Sequence, residues 1–143
     1  MKKAVMIIPA DKFRDEEFFE PKAELEQNGI SVTVASTTTD YAFGKLGAKL
    51  KPDILIDAVS ADDFDAVVFI GGAGSPVYWD SPVAHKLLRQ AFSAGKIVAG
   101  ICSASVTLAR SGILKGRRAT VFSGDAGEII KSGAEYTGRP VEI

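Results

Sequence analysis

One cysteine, one histidine and one tryptophan stand among 143 residues, and these scarcities exclude a good deal. A lone cysteine forms no internal disulfide, so the fold owes nothing to an oxidising compartment. With only Cys102 and His85 available, a metal centre would have to be built on carboxylates, and no loop carries calcium-ligand spacing. The net charge is −1, with neither the basic surplus that holds nucleic acid nor an acidic tail. The small cluster of Lys115, Arg117 and Arg118 reads as a solvated loop. The first apolar run, after Met1-Lys2-Lys3, lasts only about seven residues, too short for a membrane span, and no small-residue cleavage pattern follows it. These absences set the expectation of a cytoplasmic protein with no nucleic-acid and no membrane partner. The pattern G-x-G-x-x-G is missing after the first strand, and with it the dinucleotide fingerprint.

What is present is the balance of an ordinary folded domain: 46% hydrophobic and 24% charged residues. The length fits one domain, residues 1–143, able to bury a core without staples. Ala4-Val5-Met6-Ile7-Ile8 and Ala66-Val67-Val68-Phe69-Ile70 are continuous apolar runs, the mark of strands covered on both faces. Residues 30–35 alternate and are β-branched, a further strand. Ile97-Val98-Ala99-Gly100-Ile101 is another, and 119–122 a shorter one. Helices are expected over 16–28, 82–94, 103–110 and 126–131. The second opens on Ser81-Pro82, an N-cap followed by a proline at the first helical position. Residues 37–50 have room for a short hairpin, 53–59 for a short extended piece, and 136–143 for an extended end. Strands alternating with helices of this length give right-handed crossovers and a mainly parallel sheet with helices on both faces. The expected class is therefore α/β, a flavodoxin-like three-layer sandwich. Sites in such sheets lie beyond the carboxyl ends of the strands.

Three segments fall there. Cys102 follows buried strand residues and precedes a helix with no intervening loop, a nucleophile-elbow arrangement. The N–H groups of Ser103 and Ala104 would be unsatisfied first donors of that helix, and together with its dipole they would lower the thiol pKa. A buried structural cysteine is the alternative. Gly71-Gly72-Ala73-Gly74 would let backbone donors approach a substrate oxygen, or would simply be a flexible turn. Phe13-Arg14-Asp15-Glu16-Glu17 enters a helix N-terminus, where acids are electrostatically welcome; one of them can point at the sulfur, with a raised pKa and a proton to donate. His85 reads as a surface or partly packed histidine. Tyr78-Trp79 is expected in a capped loop, its exposed aromatics lining a pocket or a dimer contact.

Together these stretches resemble the ThiJ/PfpI (DJ/PfpI) superfamily of the class I glutamine amidotransferase-like fold. The resemblance spans essentially the whole chain. It rests on the segment ending at Glu17, on Val32-Thr33-Val34-Ala35-Ser36, on Pro52-Asp53 and on Asp63-Phe64-Asp65-Ala66. It continues through Gly71-Gly72, residues 94–102 and Gly112-Ile113-Leu114-Lys115-Gly116-Arg117. It implies that Cys102 is the nucleophilic, easily oxidised cysteine and that Glu17 hydrogen-bonds its sulfur. It implies too that Gly72 and the Ser103 backbone bind an oxyanion. A homodimer or larger assembly without a cofactor is expected.

The chain also departs from the resemblance. Peptidase-like members carry a histidine directly after the cysteine, where this chain has Ser103. Others place one near the end of the following strand, where Phe122 stands. The usual Gly-Pro after the elbow is replaced by Ala104-Ser105, and by the resemblance residues 1–143 are expected to form a single domain lacking the family's final strand, glycine loop and closing helix, which follow the point matching Ile143. Two functions stay open. In one, Cys102 attacks small carbonyl or amide substrates in glyoxalase, deglycase or peptidase-like chemistry, with Glu17 as the base. In the other, Cys102 is oxidised as a stress sensor or chaperone switch, which needs an oxidant and no base.

Overall fold

The computed structural model describes residues 1–143. Its elements in chain order begin with β1 (Lys3–Ile7), β2 (Asp11–Phe13), α1 (Asp15–Gln27) and β3 (Ser31–Ser36). A hairpin of β4 (Ala42–Gly44) and β5 (Lys49–Leu50) follows, then β6 (Ile54–Leu55) and β7 (Ala66–Phe69). The second half holds α2 (Pro76–Trp79), α3 (Pro82–Ser93), β8 (Ile97–Gly100) and α4 (Ser105–Arg110). It closes with β9 (Arg118–Ala119), α5 (Ala126–Lys131) and β10 (Glu135–Tyr136).

The main sheet runs β6-β3-β1-β7-β8 with every pairing parallel. Apart from the two-residue β6, the four principal strands have the flavodoxin-like order 2-1-3-4. The chain winds one way from β1 to β3 and then returns to β7 and β8. The carboxyl ends of β1 and β7 therefore part at a switch point, where a crevice is expected.

Strand β1 shows why its sequence is apolar throughout. Val5 and Ile7 pack with Val67 and Phe69 of β7 against Ala84, Leu87 and Leu88 of α3. The intervening Met6 and the following Ile8 pack on the other face with Phe13, Phe18 of α1 and Val34. Side chains alternate faces along a strand, so a strand between two helix layers must be apolar at every position. A third cluster, Val106, Ala109, Ala119, Ile129 and Ala134, ties α4 to α5 and the β9–β10 pair. Ser81 caps α3 as expected, its Oγ accepting the Ala84 N–H at 3.2 Å.

Four expectations are corrected. Of the expected 119–122 strand only Ala119 pairs, together with Arg118 before it, and their partner is β10 in a separate two-stranded sheet. The extended end is a strand only at Glu135–Tyr136. The elbow helix opens with a 3₁₀ turn, Cys102–Ala104, before α4 proper. Residues 76–79 are a helical turn in which Tyr78 is buried, its hydroxyl donating to the Ile8 carbonyl at 2.7 Å, so Tyr78 is no exposed aromatic. Burial pushes its pKa up to about 12. No helix is long and apolar enough to cross a membrane.

Candidate active site

Cys102 follows β8 after one residue, Ile101, and has φ +58°, in the left-handed region that a residue with a β-carbon seldom occupies. That conformation costs about 1–3 kcal/mol and persists only where neighbours hold it. Ile101 N–H donates to the Phe69 carbonyl at 3.1 Å, and Ala104 N–H donates to the Ile101 carbonyl at 3.1 Å. Ser105 Oγ donates to the Gly100 carbonyl at 3.3 Å, and Trp79 Nε1 to the Ser103 carbonyl at 3.1 Å. The elbow is thus clamped from β7, from α4 and from the α2 turn.

Three neighbouring acids at the start of α1 have three different surroundings. Asp15 accepts the N–H groups of Leu46 and Ala48, both at 2.9 Å, and so anchors the β4–β5 turn. Burial works against its charge, but those two donors hold its pKa below the usual range. Glu16 lies against Arg14 Nε at 2.5 Å; its own backbone N–H and then that guanidinium hold it low. Only Glu17 turns inward. A β-carbon on Gly71 would lie 2.8 Å from Glu17 Oε2 and 3.0 Å from Cys102 Cβ, so the glycine is the point where carboxyl, thiol and the end of β7 meet. Glu17 Oε2 is buried without a hydrogen-bond partner of good geometry. The thiol and the Gly71 N–H approach the carboxyl and favour its charge, but burial outweighs them and its pKa is raised.

The thiol departs from the expectation of a lowered pKa. Burial first, and then the Glu17 charge, push the Cys102 thiol up, while the Ser103 N–H and hydroxyl pull it down. A lowered thiol pKa needs two free amides and a helix dipole at the elbow. The Ala104 N–H is engaged by Ile101, and α4 is only six residues long, so a single amide remains to face the sulfur. The Glu17 charge pushes the thiol up while the thiol's hydrogen bond favours the Glu17 charge, so the two titrate as a pair. When Glu17 holds the proton its repulsion is gone, and the thiolate faces the Ser103 donors.

Gly72, the second glycine of the pair, has φ +108° and a free N–H. Its neighbours interlock with the segment after β1. Arg14 N–H donates to the Gly71 carbonyl at 3.1 Å, and Gly74 N–H to the Lys12 carbonyl at 3.2 Å. Lys12 itself is left-handed, φ +56°, and exposed. Sequence reasoning missed both β2 and this kink, since nothing in Asp11-Lys12-Phe13 signals it. Lys12→Gly is expected to stabilise the fold by about 0.5–1 kcal/mol in a denaturant titration, the relief at Lys12 exceeding the extra chain entropy of glycine.

Cys102 opens onto a groove of about 1170 Å³ between β8 and residues 117–143, lined also by Arg118, Phe122, Ser123, Arg139 and Glu142. Phe122, an apolar side chain 53% exposed, is part of that lining. His85 does not line it; its Nε2 lies 2.7 Å from the Trp79 carbonyl. A carbonyl only accepts, so Nε2 carries a proton and the imidazole serves the α2–α3 connection. The structure brings Cys102, Glu17, the Ser103 amide and the Gly71-Gly72 turn to one place and leaves His85 outside it.

Residues 2–143 match the model of the DJ-1/PfpI family. An uncharacterised protein of Methanocaldococcus jannaschii is 42% identical over 99% of this chain and 70% of its own length. The deglycase PfpI of Pyrococcus furiosus is 33% identical over 97% of this chain and 84% of its own. Among solved structures, a ThiJ/PfpI domain protein of Brachyspira murdochii superposes with a TM-score of 0.96 at 35% identity, covering 99% of this chain and 82% of that one.

Proposed function

The chain belongs to the DJ-1/PfpI family, and on that premise we propose that Cys102 is a nucleophile toward the carbonyl carbon of small aldehydes or of the adducts they form with amines. The observation that carries this reading is the convergence of Cys102 and Glu17 at Gly71. The sulfur attacks the carbonyl carbon and a C–S bond forms. The π pair moves to the oxygen, which the N–H groups of Ser103 and Gly72 receive. The proton held by the Glu17–Cys102 pair passes to that oxygen, giving a hemithioacetal, and Glu17 is left ionised to take a proton in the next step. Glu17 suits both duties because burial has raised its pKa toward neutrality. A deglycase-like or hydrolase-like role fits this chemistry, and the relative from Pyrococcus furiosus carries the name deglycase.

The test is turnover of methylglyoxal, and of amines preloaded with it, by wild type and by Cys102→Ser. The substitution is expected to abolish turnover with the fold intact by circular dichroism. Retained turnover in Cys102→Ser would overturn the reading.

One observation favours a second role. No histidine lines the groove, and oxidation of the thiolate requires no base. In that step a peroxide oxygen is transferred to the sulfur, the sulfenate forms and water or alcohol leaves. Clean oxygen addition at Cys102 by intact mass, without carbonyl turnover, would select this role.

A further inference from the structure

The only tryptophan of the chain contacts the elbow without lining the groove. Trp79 Nε1–H donates to the Ser103 carbonyl at 3.1 Å. The tryptophan is itself held on three sides. His85 Nε2–H, one turn into α3, donates to the Trp79 carbonyl at 2.7 Å. The Arg110 guanidinium lies over the indole face at 5.1 Å. Arg110 is fixed in turn by Asp80 at 2.7 Å and Glu128 at 2.6 Å. The ring also packs on the cluster formed by Val106, Ala109 and Ile129. A side chain this constrained presents its one donor in a fixed place.

Its target is the residue next to a strained one. Cys102 is left-handed, and Ser103 supplies the single amide that faces the sulfur. Were the Ser103 carbonyl free to rotate, Cys102 could relax toward ordinary φ values and carry the Ser103 N–H away from the thiol. We propose that Trp79 is a positioning residue: its indole N–H, by fixing the Ser103 carbonyl, holds Cys102 in the left-handed elbow and the Ser103 amide toward the sulfur. His85, the one imidazole, contributes at one remove by anchoring Trp79. The proposal rests on the reading of Cys102 as a reactive thiol, and it assigns work to two residues that this reading leaves idle.

The experiment separates the indole N–H from the indole's bulk. Because the chain has one tryptophan, biosynthetic incorporation of β-(3-benzothienyl)alanine replaces that N–H by sulfur at a single site while preserving ring shape. Trp79→Phe is the genetic counterpart. Iodoacetamide alkylation of Cys102 is followed by intact mass across the neutral to alkaline range, with thermal midpoints measured in parallel. The expected result is a rate at neutral pH lowered about fivefold, the worth of one net hydrogen bond, with the pH profile displaced to higher pH and the midpoint of the isostere protein retained. A profile that superposes on wild type in either folded variant overturns the proposal. So does a rate that falls only in step with lost thermal stability in both, since that is packing alone. If folded wild type does not alkylate at all, the reactive-thiol reading fails first and this proposal with it; normal wild-type alkylation with an unchanged isostere removes only the role of Trp79.

Discussion

Glu17→Gln is expected to raise the thermal midpoint at neutral pH and to lower carbonyl turnover by about a hundredfold or more. Both effects come from the same burial. Desolvation raises the Glu17 pKa above its usual carboxylate value, so the folded state binds the proton more tightly than the unfolded chain does. Stability tied to that proton is fully present below the ordinary carboxylate pKa and is lost as pH rises through the raised one. Glutamine has nearly the same shape and no charge, and it escapes the loss. The midpoint difference between variant and wild type should therefore be small in acid and widen through the window above the ordinary carboxylate value. Turnover moves the opposite way, because glutamine neither gives nor takes the proton at the Cys102–Glu17 pair. A scan of thermal midpoint against pH, with activity measured on the same samples, tests both. A pH-independent difference would mean that the Glu17 charge is not disfavoured in the fold. Undiminished turnover would remove Glu17 from the chemistry. Greater stability with lost activity is the pattern of a group kept for function at a cost in stability.

What the sequence disclosed and what it hid divide along one physical line. β1, β7 and α3 are legible because burial on two faces, or a Ser-Pro cap, is written in contiguous residues. β2 is not, because three residues, Asp11–Phe13, become a strand only by pairing with β4, some thirty positions later. Residues 119–122 read as a strand from their apolar content, yet Phe122 lines the groove and only Ala119 among them finds a strand partner. At the site, Cys102 was legible from its place between strand and helix. The resemblance singled out Glu17, but local pattern alone gave Asp15, Glu16 and Glu17 equal standing. Only tertiary contacts separate them: the β4–β5 turn takes Asp15, Arg14 takes Glu16, and Gly71 admits Glu17 to the sulfur. The direction of the thiol pKa is hidden from local pattern for the same reason. The opposing charge comes from a helix eighty-five positions earlier in the chain, Glu17 against Cys102, where no local rule looks.

Gly71→Ala and Gly72→Ala, adjacent and chemically identical changes, should fail in different ways. At Gly72 the backbone has φ +108°, closed to an alanine without strain, and a β-carbon would lie 2.5 Å from Arg14 N and Lys12 O and 2.9 Å from Phe13 C. All three are backbone atoms of the interlocked segment after β1, so none can swing aside. Strain and overpacking together should cost roughly 2–5 kcal/mol, a large fraction of the stability of an ordinary domain. The expected readout is a lower denaturant midpoint, with turnover lost in proportion to folded protein. At Gly71 φ is not positive, and two of the three atoms in the way belong to the site: Glu17 Oε2 at 2.8 Å and Cys102 Cβ at 3.0 Å, beside the Ile101 carbonyl at 2.6 Å. The carboxyl is the most easily displaced of these and the Ile101 carbonyl must shift with the elbow it belongs to, so Gly71→Ala should push Glu17 off the sulfur at some cost in stability. Most of the fold would remain while turnover falls out of proportion to stability. Denaturant titration and activity measured on both variants distinguish the two. If Gly71→Ala keeps full turnover in folded protein, the contact of Glu17 with Cys102 is not what the chemistry depends on. If both variants lose activity only as they unfold, the turn is a structural hinge and the contact of Glu17 at Gly71 has no separate part in turnover.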